Sequence, residues 1–206
     1  MTILALVGAG GHGKVVADLA EACGYAVIFF DESYPQKKFI EHWPIEGAFS
    51  DLLAQRNIYK NALVSIGNNS TRENLIKQLV QAGFNLPTLI HPTAVVSRYA
   101  NIASGCVVFS QAVINAFAVV GKGCIINTGA IIEHDCVISD AVHISPNVSL
   151  AGGVIIGKNS WIGIGAAIKQ QIEIGENVIV GAGSVIIKNT IDAVTVVGNP
   201  ATPLIK

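Results

Sequence analysis

A period of six runs unbroken through half of this 206-residue chain, and few folds can accept it. From Ile90 to Ile191 every sixth residue is aliphatic: Ile90, Val96, Ile102, Val108, Ile114, Val120 and so on to Val180 and Ile186, seventeen units in all. Four residues after each comes a mostly small side chain, such as Ala94, Ala100, Cys106, Ala112, Ala118, Cys124, Ala130 and Cys136. An α-helix, at 3.6 residues per turn, cannot hold that phase. Short strands joined by regular corners can, because β-branched side chains suit a pleated surface. Three such strands make a triangular coil of eighteen residues, and stacked coils satisfy each other's backbone groups at a spacing of roughly 4.8 Å. The aliphatic residue then fills the prism and the small one fits near a corner.

The chain before the repeat follows a different pattern. Thr2 to Val7 is a short apolar run that ends in Gly8-Ala9-Gly10-Gly11-His12-Gly13. Apolar spacing at Val15, Val16, Leu19 and Cys23 predicts a helix over 14–23, stopped by Gly24. Ala26 to Phe30 reads as a second buried strand, closed by Asp31 and Glu32. Strand, glycine turn, helix, strand and acid, in that order, match the first unit of a nucleotide-binding doubly wound fold, where helix-start amides and the helix dipole hold phosphate. Residues 33–49 show no period and read as a surface connection, followed by a short helix near 50–56. Ala62 to Ile66 is a third strand, and Ser70-Thr71-Arg72-Glu73 has capping-box spacing for a helix reaching Ala82. Alternating strands and helices define a small parallel α/β domain. The expected division is a Rossmann-like domain over 1–86 and a β-helix over 87–206, with 195–206 as a capping extension.

Charge narrows the partners. Residues 1–89 carry 7 Lys and Arg against 8 Asp and Glu, and residues 90–206 carry 6 against 6. Neither half offers the basic field that nucleic acid or an anionic membrane requires, so small molecules are expected. The N-terminus lacks the basic lead and cleavage site of a signal peptide, and no apolar run reaches the length of a transmembrane helix, which points to the cytoplasm. Metal-ligand spacing is absent, so no metal is expected. Cys106, Cys124 and Cys136 sit at the small-residue phase, as compact apolar fillers in thiol form.

Reactive groups on a filled prism must project outward. His134 and Asp135 occupy the third and fourth phases of their unit, a corner facing out, and the residues eighteen further on are Gly152 and Gly153. A histidine beside a carboxylate suits a general base; the competing reading is a solvated surface pair, and the glycine notch favours function. His143 has Trp161 one coil on, an arrangement that suits simple ring packing as well as a ligand contact. His12 could donate to a phosphate or merely be exposed. His42 and His91 read as connection residues without a role, and Lys14 has no assignable one.

Together with Ile66-Gly67-Asn68-Asn69, Asn127-Thr128, Ile132-Glu133-His134-Asp135, His143-Ile144-Ser145-Pro146, Gly181-Ala182-Gly183-Ser184 and Gly198-Asn199-Pro200-Ala201, these features cover nearly the whole chain. They resemble the hexapeptide-repeat sugar acetyltransferases of bacterial glycan synthesis, which include the nucleotide-linked amino-sugar N-acetyltransferases and the sialic acid O-acetyltransferases. The resemblance implies a left-handed β-helix, a homotrimer and acetyl-CoA as co-substrate. It also implies that His134 is the base with Asp135 tuning it. Gly10, Gly11, His12, Asp31, Glu32 and Gly67 would contact a nucleotide sugar, and His143, Gly152, Ile164 and Ala182 would line the acetyl-CoA site. Transfer to the amine of a UDP-linked 4-amino sugar leads these readings. O-acetylation of a sugar, and a non-catalytic or NAD-linked nucleotide-binding scaffold, stay open.

Overall fold

The computed structural model describes residues 2–204 and divides into two compact units, Met1–Leu89 and Ile90–Lys206. The first contains β1 (Thr2–Val7), α1 (Gly11–Ala22), β2 (Tyr25–Phe30), β3 (Phe39–Ile40), β4 (Trp43–Gly47), α2 (Phe49–Ala54), β5 (Asn61–Val64) and α3 (Asn69–Gln81). Its sheet runs β3-β4-β2-β1-β5, parallel throughout except for the β3–β4 pair. Leu4, Ala5, Leu6 and Val7 are all buried, as expected of a parallel strand covered on both faces. Strand order reverses at β1, with β2 on one side and β5 on the other. Such a switch opens a crevice at the carboxyl ends of the strands.

Two local expectations are corrected. The stretch 33–49 contains β3 and β4, and β4 extends the sheet beside β2. The buried Trp43, Ile45 and Gly47 alternate with the more exposed Pro44 and Glu46, a period of two that five residues state only briefly. Trp43 packs edge-on to Phe29 at 6.2 Å and its Nε1 donates to Glu21 at 2.8 Å. At α3 the cap is Asn68, whose side chain accepts the Thr71 amide at 2.9 Å. Ser70 lies inside the first turn and donates to that same Asn68 oxygen, so the capping box proposed at Ser70 does not form.

The second unit is a left-handed parallel β-helix built from seventeen two-residue strands, β6 (Leu89–Ile90) to β22 (Val185–Ile186). From β7 (Val95–Val96) to β19 (Ala167–Ile168) each strand pairs in parallel with the strand eighteen residues on, for example Val113–Ile114 with Ile131–Ile132. From Val108 to Ile186 the periodic aliphatics are 2% exposed or less, so the prism is filled by the residues that set the period. Ile90, Val96 and Ile102 belong to the end coil and are less buried. Corners turn through the left-handed region at every sixth residue from Gly105 to Gly183, fourteen in a row among the described residues. Nine of these are Gly or Asn, the types that tolerate this conformation best; the other five are Gln111, Phe117, Asp135, Ala141 and Gln171.

The small residue beside each corner does more than fill space. The Sγ atoms of Cys106, Cys124 and Cys136 donate to the carbonyls of Gly121, Ser139 and Ala151 at 3.0, 3.1 and 3.3 Å. Ser160 makes the same bond to Gly175 at 2.7 Å. These cysteines are corner clasps, and no disulfide joins them. Burial pushes the Cys136 thiol up from its usual value, as expected of an inert thiol. After Ile186 the phase slips, for Ile174 bridges to Thr190 at a separation of sixteen. The coil is then closed by β23 (Thr195–Gly198), parallel to Ile179–Val180, and its hairpin partner β24 (Ala201–Pro203). The rest of the expected capping extension, 205–206, lies outside the described residues. Among the described residues no helix is long and apolar enough to cross a membrane.

Candidate active site

The corner after Ile131–Ile132 carries His134 and Asp135, both more than 60% exposed. Asp135 sits at φ 61°, in the conformation that Asn and Asp accept more readily than most residues. Its Oδ2 lies 2.7 Å from His134 Nδ1. An ionised carboxylate can only accept, so Nδ1 carries the proton of this bond and the neutral ring keeps its lone pair on Nε2. The expected notch at Gly152 exists, but the imidazole itself occupies it: a Cβ on Gly152 would stand 2.6 Å from both His134 Cε1 and Nε2. Only a residue without a side chain lets the ring lie there. The Gly153 amide donates to the His134 carbonyl at 2.9 Å, which ties the two coils together at this point.

A second feature lies on another corner. His143, Ser145, Pro146, Trp161, Ile164 and Ala182 line most of an apolar hollow of about 440 Å³. The His143 and Trp161 rings stack at 5.7 Å and 3°. Their free edges are fixed: Trp161 Nε1 donates to Ser145 Oγ at 2.7 Å, and His143 Nε2 lies 3.2 Å from Asn127 Nδ2. The structure thus brings His143, Ile164 and Ala182 together and sets Gly152 apart from them, beside His134. Ile164 turns the corner that leads into the face containing Ile131–Ile132, and His134 turns the corner that leaves it. Trp161 over His143 follows from the eighteen-residue count, whereas the bonds that Asn127 and Ser145 make to these two rings depend on side-chain placement.

In the first unit, Gly8, Asp31, Glu32, Phe49, Ile66 and Thr71 line a cavity of about 230 Å³ at the carboxyl ends of the strands. Gly8 has φ 108°, and a Cβ on it would meet Ile66 at 2.5 Å; a Cβ on Gly13 would meet the Gly8 carbonyl at 2.5 Å. Gly10 and Gly11, in contrast, face open space, where backbone can approach a ligand. Gly10 caps α1 without a side-chain bond to the helix amides. Asp31 faces the glycine loop: its carboxylate accepts the Ala9 amide at 2.7 Å and the Ser33 amide at 2.9 Å. Burial opposes ionisation here, but these bonds and Ser33's hydroxyl outweigh it, and the carboxyl is held below its usual value. Asp31 therefore shapes the glycine loop as well as facing the cavity, while Glu32 is exposed at its rim and Gly67, exposed as well, follows the lining residue Ile66 without lining the cavity itself.

Arg72 is buried at 1% exposure, an unusual place for a guanidinium. It donates to the carbonyls of Ile66 and Gly67, both at 3.1 Å, and to Asn69 Oδ1 at 2.8 Å. It holds the loop that carries Gly67. The sequence marked it only as part of a polar helix start. Burial and the Arg72 charge pull the His12 pKa from 6.5 to about 4, so His12 is neutral at physiological pH. Unfolded, this imidazole binds a proton below pH 6.5; folded, it does so only near 4. Stability from His12 is complete above 6.5 and falls as pH drops towards 4, by up to about 1.4 kcal/mol per unit. Urea unfolding at pH 7 and pH 5 should show a larger loss for wild type than for His12→Asn, by up to about 2 kcal/mol. Equal losses would contradict the assignment. Among the described residues, no group of three or more His, Cys, Asp or Glu could hold a metal ion.

A glycine loop opening a doubly wound unit, joined to a hexapeptide β-helix with a His–Asp pair on a corner, defines a hexapeptide-repeat transferase. Residues 3–79 match the model of the PglD N-terminal domain, and residues 153–188 match that of the bacterial transferase hexapeptide (six repeats). The acetyltransferase domain of PglB from Neisseria gonorrhoeae FA1090, solved with acetyl coenzyme A, is 43% identical over 98% of both chains, with a TM-score of 0.93. A mutant of perosamine N-acetyltransferase from Caulobacter crescentus, in complex with CoA and GDP-perosamine, is 34% identical over 100% of this chain and 98% of that one, with a TM-score of 0.96. UDP-N-acetylbacillosamine N-acetyltransferase of Bacillus subtilis (strain 168) is 40% identical over 114 residues. That match covers 53% of this chain and 52% of the relative, so it spans about half the length of the curated protein. The chain belongs to the hexapeptide-repeat sugar N-acetyltransferase family with a PglD-type N-terminal domain.

Proposed function

We propose that this protein transfers the acetyl group of acetyl-CoA to the amine of a nucleotide-linked 4-amino sugar. The observation that carries this reading is the His134 ring, held between the Asp135 carboxylate and Gly152 with Nε2 available. The amine nitrogen attacks the thioester carbonyl, a C–N bond forms, and the amine proton passes to His134 Nε2. The tetrahedral intermediate then collapses, the C–S bond breaks, and the proton held on His134 goes to the departing thiolate. The intermediate's oxyanion needs a donor; the Gly152 amide, beside the imidazole, is our candidate. Asp135 stabilises the ring while it carries the extra proton. Relatives with bound CoA and GDP-perosamine or acetyl coenzyme A support this assignment of substrates.

We assign the nucleotide to Gly10, Gly11, His12, Asp31, Glu32 and Gly67 in the first unit, and acetyl-CoA to the His143–Ile164–Ala182 hollow together with Gly152. These acetyl-CoA residues occupy two corners of one prism, so a second copy of the chain would supply the missing half of each site. A homotrimer, three chains of 21.5 kDa each, answers this requirement, and we place it in the cytoplasm, where acetyl-CoA and nucleotide sugars are available. Incubation with acetyl-CoA and a panel of UDP- and GDP-linked amino sugars should release CoA thiol and give an N-acetylated product by mass spectrometry, and light scattering should give the trimer mass. An O-acetyl product, or thiol release with none of these acceptors, would overturn the reading.

A further inference from the structure

Lys14, which the sequence leaves without a role, takes part in a contact that stability does not explain. Ile40 pairs with Trp43 across the β3–β4 hairpin, so Glu41 and His42 form its two-residue turn. Glu41 has φ 52°, and glycine is the residue that a hairpin favours where the first turn position takes a positive φ. The Glu41 carboxylate forms an ion pair with the Lys14 ammonium, and both side chains are about half exposed. Exposed pairs of this kind add little net stability, whereas the left-handed conformation is unfavourable for a residue with a Cβ. A glutamate kept at such a position for so weak a bond points to a second use of its charge.

The surroundings identify what that charge stands for. Lys14 is the fourth residue of α1, near the positive end of the helix dipole, where an anion is favoured and a cation is not. Lys37 adds a second ammonium, 3.4 Å from the Ala9 carbonyl in the glycine loop. Asp31 feels the charge of Lys37, but its carboxylate already accepts the Ala9 and Ser33 amides. Glu41 is the carboxylate on which both lysines act: the bond and charge of Lys14, followed by the charges of Lys37 and His42, hold its carboxyl below its usual value. Two ammonium groups and a helix start thus share one carboxylate from a hairpin tip, next to Gly10 and Gly11, which face open space.

We propose that Glu41 stands in for a phosphate of the nucleotide: its carboxylate holds Lys14 and Lys37 beside the glycine loop, and the nucleotide's diphosphate takes its place on binding. The released carboxylate turns to water, which an exposed hairpin tip permits without disturbing the sheet. This latch keeps two long side chains near the position in which they are needed, and so reduces the ordering that binding must impose. It also lowers the affinity for diphosphate, since one anion must leave before another enters. Substrate and product carry the same diphosphate, so holding it more tightly would gain nothing at the reacting amine. A competitor built into the chain keeps exchange rapid. The proposal rests on placing the nucleotide in the first unit, and adds a contact that sets how readily the nucleotide exchanges there.

The test is calorimetric titration of the whole chain with UDP and with GDP, with thermal melting of each variant. Glu41→Gln should lower the Kd of the nucleotide that binds wild type about tenfold and change the melting temperature little. Glu41→Gly should tighten binding to the same extent and raise the melting temperature, because glycine accepts the left-handed turn. Lys14→Gln and Lys37→Gln should each raise Kd about tenfold. In the Lys14→Gln background the gain from Glu41→Gln should shrink well below its size in wild type, because carboxylate and phosphate compete for the same ammonium. Asp18→Asn removes an equal charge one helical turn beyond Lys14 and should change Kd by no more than about twofold. An unchanged Kd in Glu41→Gln or in Lys14→Gln would overturn the proposal, as would an equal gain in Asp18→Asn or an undiminished gain in the Lys14→Gln background. If wild type bound neither UDP nor GDP, the nucleotide assignment would fail and the latch with it; wild type that binds, with variants that match it, would remove the latch alone.

Discussion

Replacing His134 by alanine should cut turnover by roughly 10²-fold or more, the usual value of a positioned general base. The amine must lose its proton as it attacks, and Nε2 is the atom held to receive it. Folding should be almost untouched, because the side chain is 64% exposed and lies outside the prism. Acetyl-CoA affinity should likewise stay near wild type, since the hollow lined by His143, Trp161 and Ile164 is on another corner. Asp135→Asn should cost less, because an amide oxygen can still accept the Nδ1 proton and Asn tolerates φ 61° well. Rapid-quench or thiol-release kinetics on the three proteins would settle the order. Near-wild-type turnover in His134→Ala would move the base elsewhere, with His143 the next candidate.

Gly152→Ala should be almost as damaging although it removes nothing. The new Cβ would stand 2.6 Å from Cε1 and Nε2 of His134, inside any allowed contact, so the imidazole must swing away. A displacement of about 1 Å at the reacting group can cost about 10²-fold in rate. Gly152 is outside the left-handed region that the adjoining Gly153 adopts at φ 69°, so alanine adds no backbone strain and the melting temperature should fall little. A large loss of turnover with retained stability identifies displacement of the ring. Unchanged kinetics would show that the imidazole works from another rotamer and that the notch is incidental. The double variant with His134→Ala should be no slower than His134→Ala alone, because both changes act through one ring.

The hexad period was enough to specify the β-helix, because a six-residue repeat of aliphatics can be buried only by coiling. Stacking also follows from it by arithmetic: residues eighteen apart must be neighbours, and His134 over Gly152 and His143 over Trp161 were both legible that way. The glycine fingerprint with Asp31 likewise indicated a parallel α/β unit, since glycine turns and helix starts are local chemistry. What sequence could not supply was direction and partnership. Nothing local says that the His134 ring lies in the Gly152 notch, because that depends on a rotamer set by the Asp135 carboxylate. The burial of Arg72 under the Gly67 loop was hidden for the same reason: a guanidinium near a helix start reads as solvent-facing until its carbonyl partners are placed. The thiols of Cys106, Cys124 and Cys136 read as fillers, and only their distances to carbonyls fifteen residues on make them clasps. β4 escaped notice because its period of two lasts five residues and includes Pro44; its place beside β2 comes from tertiary burial of Trp43 and Ile45. A repeat encodes its own neighbours by counting, whereas a loop, a rotamer or a buried charge acquires its partners only when distant segments meet.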